Sequence, residues 1–168
     1  MAGSIKAEGL NEISSMLEDM GKEAHNAAAA GLYEGAGYMA DALSKAVETI
    51  KTEKYRHAEN GQMRMPSPEE KRILQNAAKG IAKFKGSGAE LDTSVGFSKS
   101  GYAMLMGKRK PVAMIASSIN SGTSFMKKQP FIRKTVSREG KKAVKVIEKA
   151  ISDRIMDIWS GGKWSTGK

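Results

Sequence analysis

The feature that most constrains this chain is a helical period sustained from Lys22 to Ile50. Ala24, Ala28, Leu32, Ala36, Met39/Ala40, Leu43, Val47 and Ile50 fall on one face of it. Gly31 and Gly35 sit one turn apart inside this pattern. Each costs about 1 kcal/mol relative to alanine in a helix interior unless close backbone packing compensates. The pair therefore predicts a second helix crossing at that point. Upstream, Leu10, Ile13, Met16/Leu17 and Met20 recur at three- and four-residue spacing, which predicts a short amphipathic helix that Gly21 ends or bends.

Between Lys51 and Pro66 the period fails, and the stretch reads as a mobile connection. Ser67-Pro68-Glu69-Glu70 then starts an inserted helix within 67–85, with serine at the cap, proline at the first position and carboxylates facing the positive end of the helix dipole. Its apolar face is Ile73, Leu74, Ala77, Ala78 and Ile81, and its end is expected between Gly80 and Lys85. Leu91, Thr93, Val95 and Phe97 alternate with small and polar residues, which predicts a strand over 91–98. A strand needs a partner. The stretch after Gly122 and a strand of another subunit are the expected ones. Pro111 and the apolar run that follows predict a short buried helix before Gly122, although a strand is nearly as compatible with so short a run.

Residues 118–138 pack three punctuators together. Gly122 breaks what precedes it, Gln129-Pro130 biases the chain to an extended form, and Phe131 opens another helical pattern. That pattern places Thr135/Val136, Ala143, Ile147, Ala150/Ile151, Ile155 and Ile158 on one side. Lys134, Arg138, Lys141, Lys142, Lys145 and Lys149 form a basic stripe on the other. Residues 161–168 are rich in glycine and serine and read as a flexible tail. A single domain over 1–160 is expected from the length.

Composition narrows the function classes. The chain has no cysteine, which excludes disulfides and thiolate chemistry and fits a reducing compartment. Neither a signal peptide nor a membrane span is readable, so a soluble intracellular protein without membrane contact is expected. Gly162 to Lys168 has phosphate-loop spacing but lacks the following Ser/Thr and helix. Ser124 and Lys127 form S-x-x-K without its companion motifs. His25 and His57 stand without further ligands, and Asp153 and Asp157 read as charge compensation near the end of a basic helix. No nucleophile, base and oxyanion donors assemble. A non-enzymatic protein without catalytic, cofactor-binding or metal-binding residues is expected.

Charge is the strongest compositional signal. Residues 1–60 carry 6 Lys/Arg against 10 Asp/Glu, whereas 61–168 carry 22 against 8, so the net +10 is strongly polarised. This suits an acidic partner, nucleic acid, or a neighbouring copy. The basic stripe reads as a solvated face, a subunit contact or a non-specific phosphate contact. Aromatic residues are only 6% of the chain and none interleaves the stripe, which argues against a stacking platform for single strands.

The block SGTSFMKKQPFIRKTV resembles the G-T-S, spacer, P-F-[ILM]-R signature of the tail-completion or head–tail joining (neck) proteins of long-tailed bacteriophages. The matching residues are Gly122, Thr123, Ser124, Pro130, Phe131, Ile132 and Arg133. A weaker likeness lies upstream, where an acidic helix beginning at Gly9-Leu10 leads into a long helix carrying Gly35-Ala36. Asn120-Ser121 stand where the family often has a carboxylate. The resemblance implies an α+β subunit, with long helices packed on a small antiparallel sheet, that assembles into a homo-oligomeric ring in the virion neck after synthesis in the host cytoplasm. A hexamer is the expectation, with tail-terminator, tail-tube or head-connector proteins as neighbours and possible transient contact with packaged DNA. In that setting Gly122, Thr123, Ser124, Pro130, Phe131 and Arg133 would serve assembly, and the basic stripe would face another subunit or the DNA channel. The alternative is a small basic protein binding the phosphate backbone of nucleic acid non-specifically.

Overall fold

In the computed structural model, described for residues 10–54, 62–78, 82–87, 90–97 and 101–160, four helices and two β-hairpins make an α+β fold. Helix α1 (Leu10–Glu48) and helix α4 (Phe131–Ser160) are the long elements and pack antiparallel against each other. Gly31 and Gly35 lie at their contact, as the glycine spacing predicts. A Cβ on Gly31 would sit 3.1 Å from the carbonyl oxygen of Ile147 and 2.5 Å from Cγ1 of Ile151, and one on Gly35 would run into the Ile147 side chain. Only glycine lets the two backbones come this close.

Gly21 does not end a helix: α1 runs through it without a break. A Cβ there would meet nothing within 4 Å. An exposed glycine costs a helix about 1 kcal/mol, and a long helical period on both sides outweighs that. The sequence pattern also merged two faces of α1. Ala27, Gly31 and Gly35 are buried against α4, while Leu43, Val47 and Ile50 enter the main core and Ala24 is exposed.

That core gathers the last turns of α1, Leu74 and Ala78 of the α2 region, Leu105, Val112, Ile115, Ala116 and Ile119, Met126 and Phe131. Helix α2 (Pro68–Ala77) begins where expected. Ser67 accepts a hydrogen bond from the backbone N–H of Glu70 at 3.2 Å, and the Glu70 carboxylate accepts one from the backbone N–H of Ser67 at 2.7 Å. Its end comes earlier than the expected Gly80–Lys85, because residues 82–87 are a strand instead.

The strand expected over 91–98 is β2 (Glu90–Val95), and its partner is local. It pairs antiparallel with β1 (Ala82–Ser87), Phe84 opposite Thr93, rather than with the stretch after Gly122 or another subunit. Val95 and Phe97 pack on the core, where Phe97 meets Phe131 edge-on with ring centres 6.2 Å apart. A second hairpin was not legible in the sequence. Strands β3 (Tyr102–Leu105) and β4 (Lys108–Pro111) pair with Met104 opposite Arg109, and Met106 and Gly107 both adopt positive φ in the turn, 54° and 73°. That backbone matches the twist of a tight hairpin. Leu105 faces the core, and Tyr102 and Met104 face outward. Helix α3 (Val112–Ser121) follows as the expected short buried helix. On α4, Val136 was expected on the apolar side but is 54% exposed, and Ile155 is 38% exposed. The expected tail, the Gly162–Lys168 spacing and His57 lie outside the described residues.

Candidate assembly loop and basic helix face

Residues 122–130 join α3 to α4, and the backbone there is determined hydrogen bond by hydrogen bond. Gly122 closes α3 by donating its N–H to Ser118 O at 2.9 Å, then turns the chain at φ 77°. A Cβ at this position would lie 3.1 Å from the backbone nitrogen of Lys128, so conformation and space both require glycine. Thr123 and Met126 exchange backbone bonds at 3.1 and 3.3 Å, making a tight reversal that leaves Ser124 and Phe125 exposed at its tip.

The loop clamps the ends of the 51–66 connection, whose residues 55–61 lie outside the described ones. Arg64 donates its N–H to Phe125 O at 2.8 Å and accepts from Lys127 N–H at 2.9 Å, a short parallel bridge. On the other end, the Gln129 side-chain amide accepts from the Lys51 N–H at 2.9 Å and donates to the Lys51 carbonyl at 2.8 Å. A primary amide can satisfy a backbone residue in both directions. The stretch expected as mobile is therefore tied down at 51 and again at 64.

Arg64 is buried and carries the clamp onward to α2. Its guanidinium makes a two-point contact with Glu70 at 2.7 and 2.6 Å, both side chains being under one-tenth exposed. Burial alone pushes the Glu70 carboxyl up, but the Arg64 bonds and the Ser67 N–H outweigh it, and the pKa ends below the ordinary value. Asn120 does a parallel task for α4: its Oδ1 accepts from the free N–H groups of Ile132 at 3.0 Å and Arg133 at 3.4 Å. Phe131, only 6% exposed, seats the first turn of α4 in the core.

Of the residues singled out in the sequence, Gly122 and Phe131 hold the loop, Thr123 supplies its turn, and half-buried Pro130 accepts at its carbonyl from the Lys134 N–H at 3.0 Å. Ser124 and Arg133 are exposed. Lys134, Arg138, Lys141, Lys142, Lys145 and Lys149 are all exposed along α4. Two of them are engaged. Glu139, which the sequence reading passed over, projects toward α1 and binds Lys142 at 3.0 Å, Tyr38 Oη at 2.8 Å and Arg138 at 2.8 Å. The Lys142 ammonium first, then the Tyr38 hydroxyl, hold its carboxyl down to about 2. The same bond pushes the Tyr38 phenol up. Lys134, Lys141, Lys145 and Lys149 have no acidic partner among the described residues.

Among the described residues no three His, Asp or Glu side chains converge as a metal site, and no helix is long and apolar enough to cross a membrane. Asp153 and Asp157 are exposed on the last turns of α4, and His25 is exposed on α1. Arg64 and Tyr38 carry no signal in the sequence, and Asn120 and Gln129 stand out there only for other reasons, not for the bonds they make. The sequence marks Ser67 as a cap and Glu70 as a first-turn carboxylate, but not the reciprocal capping box that the two form. No protein-family model, curated protein or solved structure matches the chain.

Proposed function

We propose that this chain is a structural protein of the phage neck that forms a ring completing the tail and joining it to the head. The observation that carries the reading is the G-T-S to P-F-I-R block. Its glycine, its apolar anchor and its turn each help to set where α4 starts. The electrostatics support self-association. The unpaired cations of α4 are exposed, and the exposed carboxylates Glu34 and Asp41 of α1 have no basic partner among the described residues. Opposite charges on different sides of one subunit can meet only between subunits.

Light scattering after size exclusion, with negative-stain imaging, tests the proposal: a closed oligomer of defined mass is expected, alone or with a tail-tube or connector protein. A chain that stays monomeric at every concentration and enters no tail refutes it. A second reading, contact with phosphate backbone, is favoured by the four unpaired lysines of α4. Its sign is duplex binding that weakens steeply with salt and is lost when Lys141 and Lys145 are replaced by glutamate.

A further inference from the structure

The two ends of the molecule carry surfaces that fit each other. At one end, beyond the reach of the core, α1 and α4 form a two-helix blade, and at the tip of α4, past which α1 continues to Leu10, an open apolar groove is lined by Met20, Glu23, Ala24, Ile155, Ile158 and Trp159. Trp159 is 71% exposed and Met20 40%, both large apolar side chains. Beside the groove, Glu23, Asp157 and Arg154 line an adjoining cleft, exposed Asp153 lies nearby on α4, and Asp19 is paired with Lys22 at 3.5 Å.

At the other end, the β3–β4 hairpin turns its outer face to solvent. Tyr102, Met104 and Met106 are 52, 60 and 50% exposed, and the hairpin continues into Lys108, Arg109 and Lys110. The Arg109 guanidinium lies 4.4 Å from the centre of the Tyr102 ring, which holds the cation beside the apolar surface. Leu105 on the inner face shares a core with Leu43, and Met20 lies 23 residues further up α1, about 35 Å away at 1.5 Å per residue. The groove and the hairpin therefore cannot meet within one chain.

We infer that the methionine-tipped β3–β4 hairpin of one copy docks in the α1–α4 tip groove of the next, with Lys108, Arg109 and Lys110 against Glu23 and Asp157. The inference rests on the ring reading and supplies its contact. Each surface is apolar at the centre and charged at the rim, basic on the hairpin and, with Glu23, Asp153 and Asp157 against Arg154, net acidic at the groove, which is the anatomy of a specific interface. Methionines at the tip adapt to an irregular groove. A contact between two different patches is head-to-tail, and such contacts close into rings when the rotation permits.

The chain's lack of cysteine allows a clean test by disulfide trapping. Met106→Cys protein mixed with Ala24→Cys protein is expected to give a cross-linked dimer, and neither variant alone should do so. A chain carrying both substitutions should give a ladder ending at the ring. Replacing Lys108, Arg109 and Lys110 by glutamate should abolish the cross-link, and Glu23→Lys with Asp157→Lys on the other partner should restore it, with helix content checked by circular dichroism. An oligomeric wild-type chain that yields no Met106–Ala24 cross-link overturns this contact and leaves the ring reading standing. A monomeric wild-type chain overturns both, and a cross-link of Met106→Cys to itself replaces the head-to-tail contact with a symmetric one.

Discussion

Replacing Gly35 by alanine sets two effects of opposite sign against each other, and the geometry decides between them. Alanine is favoured over glycine in a helix interior by about 1 kcal/mol. Against this, the new methyl group would overlap Cγ1 and Cδ1 of Ile147 on α4. Cγ1 moves only if the whole side chain changes rotamer or the helices part. Overpacking of that kind costs about 1–3 kcal/mol. The net expectation is destabilisation by about 1 kcal/mol, a fall in Tm of roughly 2–4 °C for a chain of this size. Gly21 and Gly37 provide controls, since a Cβ on either meets nothing within 4 Å. Gly21→Ala and Gly37→Ala should therefore stabilise by up to about 1 kcal/mol. Ile147→Ala alone should cost about 2 kcal/mol for a half-buried isoleucine, while the Gly35→Ala/Ile147→Ala double variant should cost less than the sum, because the new methyl occupies vacated space. At Gly31 the rescue is incomplete: after Ile151→Ala, a methyl at position 31 still lies 3.1 Å from the Ile147 carbonyl oxygen. Denaturant unfolding of these variants measures each value. Gly35→Ala as stabilising as Gly37→Ala, with additive double variants, would refute the close crossing of α1 and α4.

Phe131→Ala should destabilise by about 3 kcal/mol, because it removes a buried ring from the core and from Phe97; a loss under about 1 kcal/mol in urea unfolding would show that the loop does not depend on this anchor. Arg64→Met should cost about 3–5 kcal/mol by leaving the Glu70 carboxylate buried without its partner, and adding Glu70→Leu should recover much of the loss. Equal stability of the single and double variants would argue against that pairing. For Glu139, the folded pKa of about 2 lies below the ordinary 4.5, so its contribution is fully present above pH 4.5 and is lost as pH falls toward 2. The Tm difference between wild type and Glu139→Gln should accordingly shrink over that window, and a difference unchanged between pH 7 and pH 2.5 contradicts the assignment.

The parts of the fold legible in the sequence were those written in local periodicity and local caps. The period of α1, the serine cap of α2 and the apolar run of α3 all act within a few residues of themselves, and so did Gly122 and Phe131. The Gly31–Gly35 spacing foretold a crossing but could not say that α4 supplies it. What escaped was of two kinds. The β3–β4 turn places a methionine, Met106, at positive φ, where asparagine or glycine would have signalled a hairpin. The clamp joins Lys51 to Gln129 across 78 residues, a separate bond joins Tyr38 of α1 to Glu139 of α4 across 101, and a side chain that serves so distant a partner leaves no periodic trace. Gly21 misled for the converse reason: its cost of about 1 kcal/mol is local, and the helical period on both sides of it outweighs that cost.

The division between buried and exposed members of the G-T-S to P-F-I-R block bears on how assembly would be controlled. Phe131 is buried, Gly122 leaves no room for a side chain, and Asn120 and Gln129 act on backbone, so the block's direct product is the position and tilt of the first turn of α4. Helix α4 is 30 residues long, about 45 Å, and its far end forms one wall of the tip groove. A tilt of about 5° at the root moves that wall by about 4 Å, more than a packed interface tolerates. The loop would then govern a contact it never touches, with the glycine-spaced crossing to α1 keeping the blade stiff between them. On this argument Phe131→Ala weakens head-to-tail cross-linking between Met106→Cys and Ala24→Cys even under conditions where the variant remains folded, whereas Ser124→Ala, at the exposed tip of the loop, leaves it intact. Equal cross-linking in the two would separate the loop from assembly altogether.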